Sequence, residues 1–272
     1  MTSKTVDVTG GTEDKGKVRL DSTVTKAFQL FETLAASNTP MSISTLSQTL
    51  TLQKSNVHRL LKTLTALGYV RQDPDSKRYL PTLRTWEVGS MIVRRDSLRI
   101  GARRTLSDLH RATGESVYLS VLSGEHILYL DTIDAAHSME LTPQPGVRTP
   151  AMFPASGKAI LANQRDVTGC VDRCIAALPE GLTIDRNELL RDLEKIRKQG
   201  FATTVNGWRR GASSLAAPVM AIGINPTAAI GISASADHLP LERILTFAPQ
   251  VMSAAARIAE SGTQAPVSAW ER

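Results

Sequence analysis

Apolar residues recur along one side of a helical turn at Val57, Leu60, Leu61, Leu64 and Leu67, and the spacing predicts an amphipathic helix. The opposite face holds Lys54, Ser55, Asn56, His58, Arg59 and Lys62. Upstream, Val24, Ala27, Phe28, Phe31, Leu34 and Ala35 predict a helix that packs beneath it, and residues 42–50 supply a short positioning helix. Gly68 stops the amphipathic helix, Tyr69 and Val70 start a strand, and Asp73, Pro74, Asp75 and Ser76 make a turn flanked by Arg71, Lys77 and Arg78. Two short helices followed by a tight hairpin are the parts of a winged helix-turn-helix.

The polar face has the chemistry for duplex DNA. Lys54 and Lys62 suit phosphates, Ser55 and Asn56 add hydroxyl and amide donors, and the Arg59 guanidinium can grip a guanine edge with two hydrogen bonds. The plain alternative for the helix alone is a solvated cationic surface, which the adjoining basic hairpin argues against.

After the hairpin, residues 83–112 contain no Pro and predict one long or two consecutive helices. Their apolar positions, including Trp86, Met91, Ile92 and Val93, are looser than one helix face and point to packing against a second subunit, the next domain or an intrachain neighbour. Beyond Thr113, Gly114 and Glu115 the grammar changes. Residues 117–122 and 127–131 read as strands joined at Ser123 and Gly124. A short helix is expected over residues 157–163, a capped helix from Asp185 and Glu188 to Gln199 ended by Gly200, strands over 201–205, 215–219 and 228–235, and one closing helix over 241–260. This mixture predicts an α+β domain with helices against a sheet.

Charge sharpens the division. Residues 1–112 carry 18 Lys and Arg against 10 Asp and Glu, a net of +8, whereas residues 113–272 carry 14 against 16, a net of −2. A basic patch by itself fits membrane surface or RNA equally well, but the groove-sized helix and wing favour duplex DNA. The 272 residues suffice for two domains, no apolar run is long enough to span a bilayer, and the polar first 17 residues lack a signal-peptide core, so a cytoplasmic protein with a disordered tail is expected. Cys170 and Cys174 lie four apart with no His at ligand spacing, which favours idle thiols over a disulfide framework or a zinc site; no metal or cofactor is expected.

In the second domain, Ser156, Gly157 and Lys158 at a helix start would expose backbone N–H groups to a carboxylate. A nucleotide phosphate loop is excluded, because Met152 and Ala159 stand where that motif needs Gly and Ser or Thr. The alternative is a capped helix without a ligand. His110, His126, His137 and His238 are scattered and form no nucleophile, metal or paired-carboxylate pattern, so an enzyme is not expected.

The chain resembles the IclR family of bacterial transcription regulators over residues 21–262. The likeness is carried by residues 55–61 (SNVHRLL), 67–70 (LGYV), 113–117 (TGESV), 146–150 (GVRTP), 155–162 (ASGKAILA) and 215–219 (LAAPV), in that order. The resemblance implies an N-terminal, mostly α winged helix-turn-helix at 21–82, a helical dimerising linker at 83–113, and a C-terminal α+β GAF-like effector domain at 114–262, with tails at 1–20 and 263–272. It also implies a dimer, often paired into a tetramer, on paired DNA half-sites, and a small organic or aromatic acid as effector. Thr51 and Gln53 stand where the family often has Gly in the turn and Pro opening the reading helix. Where members that hold keto acids place Asp, Cys and two Ser, this chain has Thr204, Ser214, Gly231 and Ser233, which suits a larger or more apolar effector. Its acid would lie on the helix start at Ala155, Ser156 and Gly157, and its body toward Met152 and Phe153. The alternative function is an architectural DNA-binding protein whose second domain only assembles subunits.

Overall fold

The computed structural model describes residues 20–136, 142–207, 210–220 and 225–261. The expected tails, apart from Leu20, and His137 lie outside these. The chain divides into two units, residues 1–89 and 90–272.

The first unit is built on one small core of Leu30, Leu34, Leu46, Val57, Leu60, Leu61, Val70 and Tyr79. Helix α1 (Ser22–Ala36) starts where the Asp21 carboxylate accepts from the Thr23 and Val24 amides, and α2 (Ile43–Thr49) is capped by the Ser42 hydroxyl. Helix α3 (Lys54–Ala66) buries Val57, Leu60 and Leu61. Strands β1 (Val70–Gln72) and β2 (Tyr79–Pro81) pair antiparallel, and Met41 bridges to Tyr79 beside them. Two expectations change here. The buried stripe of α1 runs Ala27, Leu30, Phe31, Leu34, so Val24 and Phe28 face solvent, at 54% and 64% exposure. Leu67 caps α3 after its last turn and is also exposed.

Helix α4 (Arg84–Val93) and helix α5 (Ser97–Thr113) resolve the region after the hairpin into two helices. Asp96 ends the first run and caps the second, its carboxylate accepting from the Arg99 amide at 2.7 Å. Gly114, at φ 71°, stops α5.

The second unit centres on a six-stranded antiparallel sheet ordered β5-β4-β3-β8-β7-β6. Its strands are β3 (Ser116–Ser123), β4 (His126–Ile133), β5 (Arg148–Pro150), β6 (Ala202–Val205), β7 (Ala212–Pro218) and β8 (Ala228–Ser235). Between β5 and β6 come α6 (Ala155–Ala162), α7 (Val167–Ala176) and α8 (Arg186–Gln199); after β8 come α9 (Leu241–Leu245) and α10 (Ala248–Glu260). Strand β5 departs from the sequence expectation, since its three residues end in Pro and read as loop. The expected single closing helix is two helices: Pro249, which has no N–H to donate, is accommodated in the first turn of a new one.

Alternation sorts the sheet into two faces. Val117, Leu119, Leu215, Ile230 and Ile232 meet Leu98, Leu106 and Leu109 of α5 and Val251 and Ile258 of α10. Tyr118, Ile127, Tyr129 and Ala216 meet α6, with Val171 of α7 and Leu193 of α8 behind it. Pairing shifts between Leu119↔Asp131 and Ser120↔Tyr129, so Leu130 is an extra residue in β4. Leu128 and the bulged Leu130 pack on the α5 face; after the bulge Ile133 does so, and Asp131 pairs with Arg99 of α5 at 3.0 Å.

Candidate DNA-reading head and effector cleft

The reading head is assembled by local rules. Burying Val57, Leu60 and Leu61 turns Lys54, Ser55, His58, Arg59 and Lys62 outward, all exposed; Asn56 is half-buried, and its side-chain oxygen accepts from Arg59 Nη2 at 3.4 Å. Gln53 occupies the N-cap of α3 without a side-chain hydrogen bond. Thr51, in the turn between α2 and α3, adopts φ 52°, the left-handed conformation that glycine takes without strain.

The hairpin tip is tied by Asp73, whose Oδ1 accepts from the Ser76 amide at 2.7 Å and its hydroxyl at 2.8 Å. Those bonds, the amide first, hold the Asp73 carboxyl below its ordinary range. The tie lets the strands return tightly and leaves Arg71, Lys77 and Arg78 exposed, with Arg78 Nη1 donating to the Pro40 carbonyl at 3.4 Å.

On the α6 side of the sheet lies a cleft, partly open to solvent. Three expected residues, Thr204, Ser214 and Ser233, line it from β6, β7 and β8. Ser214 pairs with Ser233 in register, and Thr204 with Ser214, so the three form a row across the sheet. Ser233 Oγ is buried with no hydrogen-bond partner.

The other expected effector residues lie elsewhere. Met152 is fully buried in the core behind α6, and Phe153 is half-buried against it. Ala155, Ser156 and Gly157 are buried in the first turn of α6, whose N-cap, Pro154, lines the cleft. Gly157 has a packing reason: a Cβ there would fall 1.8 Å from the Ala151 carbonyl oxygen. Lys158 forms a 2.7 Å ion pair with Asp192 of α8. Gly231 is covered by the Tyr118 ring rather than open to the cleft.

Sequence reasoning missed several lining residues, namely Tyr129 on β4, Arg148 and Thr149 on β5, and Gly207 after β6. Arg148 is exposed at the outer wall, where its Nη2 donates to the Ser123 carbonyl at 2.9 Å. The 146–150 stretch shows no periodicity in the sequence, so without strand β5 its side chains have no direction.

His110 Nδ1 lies 2.8 Å from the Glu115 carbonyl oxygen, and His238 Nε2 lies 3.2 Å from the buried Glu115 carboxylate. Both ring nitrogens thus serve the start of β3. Burial pushes the Cys174 thiol up to about 11 and raises Cys170 above its ordinary value. Among the described residues, no group of His, Cys, Asp or Glu is arranged to hold a metal ion, and no helix is long and apolar enough to cross a membrane.

A basic helix-turn-helix with a wing, joined by helices to a sheet domain carrying an open cleft with a row of hydroxyls, defines a DNA-binding regulator with an effector domain. The sequence comparisons agree. The family model for the bacterial transcriptional regulator IclR C-terminal region matches residues 90–260, and that for the IclR helix-turn-helix domain matches residues 23–74. The chain belongs to the IclR family of bacterial transcription regulators. It is 28% identical over 240 residues to the HTH-type transcriptional regulator KdgR of Escherichia coli K12, covering 87% of this chain and 91% of that protein. The crystal structure of Thermotoga maritima IclR is 26% identical, with a TM-score of 0.68, over 89% of this chain and 99% of that one. An IclR homologue from Microbacterium hydrocarbonoxydans complexed with 4-hydroxybenzoate shares the fold, with 20% identity and a TM-score of 0.69, over 88% of this chain and 98% of that one.

Proposed function

We propose that this regulator responds to a small organic or aromatic acid bound in the cleft and controls a catabolic operon. Acting in the cytoplasm, it places α3 in the major groove and the wing on the adjoining backbone. Lys54, Ser55, Asn56, His58, Lys62, Arg71, Lys77 and Arg78 position the head, and Arg59 reads a base edge. The observation that carries the effector reading is the row of hydroxyls at Thr204, Ser214 and Ser233, one of them buried without a partner, on the wall of an open cleft. An orphaned buried hydroxyl is costly unless something fills its place. The Microbacterium homologue's aromatic acid supports the same ligand class, and no arrangement among the described residues suggests turnover.

Self-association completes the reading. One short helix touches too few bases for a regulator's specificity, so the protein acts as a dimer, or a pair of dimers, on paired half-sites. Exposed Leu83, Trp86, Met91 and Ile92 on and beside α4, with Val24 and Phe28 on α1, supply apolar surface for it.

Calorimetric titration with aliphatic and aromatic acids, followed by operator binding with and without each hit, tests the proposal. A hit should shift operator affinity by about 5- to 150-fold, the usual range of coupling between sites. Hits that bind a pocket-filling Ser214→Leu variant undiminished would place the effector elsewhere. Binding without any change in operator affinity would favour the architectural alternative.

A further inference from the structure

Tyr118 crosses the sheet in an unusual way. It belongs to β3, yet its hydroxyl shares a 2.7 Å hydrogen bond with Ser214 Oγ on β7, two strands away. The strand between them is β8, and the residue beneath the ring is Gly231, which pairs with Tyr118 on one side and Ala216 on the other. A Cβ at 231 would lie 2.5 Å from the Tyr118 hydroxyl and 2.6 Å from its Cζ. The ring therefore occupies the volume that a side chain at 231 would take. It stands edge-on to Tyr129, at 5.4 Å and 78°, and Tyr129 lines the cleft.

On the reading that the cleft holds the effector, we infer that Tyr118 sets its inner limit and presents a neutral hydrogen-bonding end to the ligand. Tyr118 is fully buried, and its bonded partner Ser214 opens on the cleft beside the orphaned Ser233 hydroxyl. The buried Ser156 hydroxyl adds a further neutral group next to the phenol. Among the described residues the cation lining this cleft is Arg148, exposed at the outer wall with Nη2 donating to the Ser123 carbonyl, whereas Lys158, paired with Asp192, does not line it. An effector acid accordingly directs its carboxylate outward, toward Arg148. Its inner end carries a hydroxyl or carbonyl that meets Ser214 and Ser233, and the Tyr118 phenol acts on it through the hydrogen bond to Ser214. This reverses the orientation in which a helix start would hold the acid.

Three probes and two variants test this: benzoate, 4-hydroxybenzoate and 4-phenylbenzoate, titrated into wild type, Tyr118→Phe and Tyr118→Ala. Wild type should bind 4-hydroxybenzoate about tenfold more tightly than benzoate, the value of one added hydrogen bond, and exclude 4-phenylbenzoate. Tyr118→Phe keeps the ring, and should lose several-fold of the preference for 4-hydroxybenzoate over benzoate. Tyr118→Ala should improve 4-phenylbenzoate at least tenfold relative to benzoate. Ratios that stay at their wild-type values in both variants would overturn the inference. A separate arm does not depend on an acid effector: phenol should raise the melting temperature of Tyr118→Ala and leave that of wild type unmoved. If no acid binds but phenol rescues, the acid reading fails and the inner limit stands; if phenol does nothing, the inner limit fails.

Discussion

Asp131 of β4 holds Arg99 of α5 at 3.0 Å, two residues from Tyr129 on the cleft wall. Leu130, the extra residue, makes both contacts possible, since it lets Tyr129 face the cleft and Asp131 the α5 helix. The pair is mostly buried, at 28% and 17% side-chain exposure. Breaking it should therefore cost more than a surface ion pair and less than a fully buried one, about 1–2 kcal/mol. Urea unfolding of Arg99→Gln, Asp131→Asn and the double variant checks this. The double variant should lose less than the sum of the singles.

Thr51 holds a left-handed conformation that penalises a β-branched residue by about 1–2 kcal/mol. Replacing it by glycine removes that strain but loosens the unfolded chain, so Thr51→Gly should stabilise the reading head by a net of about 0.5–1 kcal/mol. Thermal melts monitored in the head would show it. A lower melting temperature would mean the threonine makes a compensating contact.

For Arg59→Ala, a loss of about 1–3 kcal/mol and relaxed choice at one base position are expected. Lys62→Ala should instead weaken all sequences alike and reduce the salt slope by about one unit. Binding-site selection separates the two; equal losses on operator and random DNA for Arg59→Ala would remove its reading role.

The wing turn should be acid-sensitive. Because its hydrogen bonds lower the Asp73 pKa, its contribution is fully present above the unfolded value, about 3.9. It is lost as pH falls through the lower folded value. The Ser76 amide resonance should report this below about pH 4 and become insensitive in Asp73→Asn.

Gly157→Ala should be severe. Its Cβ would sit 1.8 Å from a backbone oxygen, so α6 must shift, at a cost of about 3 kcal/mol or more. Circular dichroism and expression yield would both fall relative to Gly169→Ala, where the obstacle is only the Asp166 side chain.

The reading head was legible because its core is local: Val57, Leu60 and Leu61 announce the buried face of α3, and the polar face follows. Even there Leu30 escaped notice, since Val24 and Phe28 suggested a stripe rotated away from the real one. The cleft was legible only in part. Thr204, Ser214 and Ser233 came from likeness to a family, but Arg148 needed a three-residue strand that no periodicity marks. Tyr118 needed the register of three strands at once. The available signal was Gly231, an isolated glycine inside a strand, which indicates that something approaches closely.

A side chain at 231 would strike the Leu215 carbonyl, at 2.6 Å, as well as the Tyr118 phenol. Shrinking residue 118 alone would not make room for it. Position 231 therefore stays glycine whatever stands at 118, whereas Thr204 and Arg148 line the cleft away from that constraint. A lineage acquiring a new effector would change the rim of the cleft first and its floor last. On the proposed reading, the span of effectors reachable by single substitutions is bounded by one tyrosine laid over one glycine.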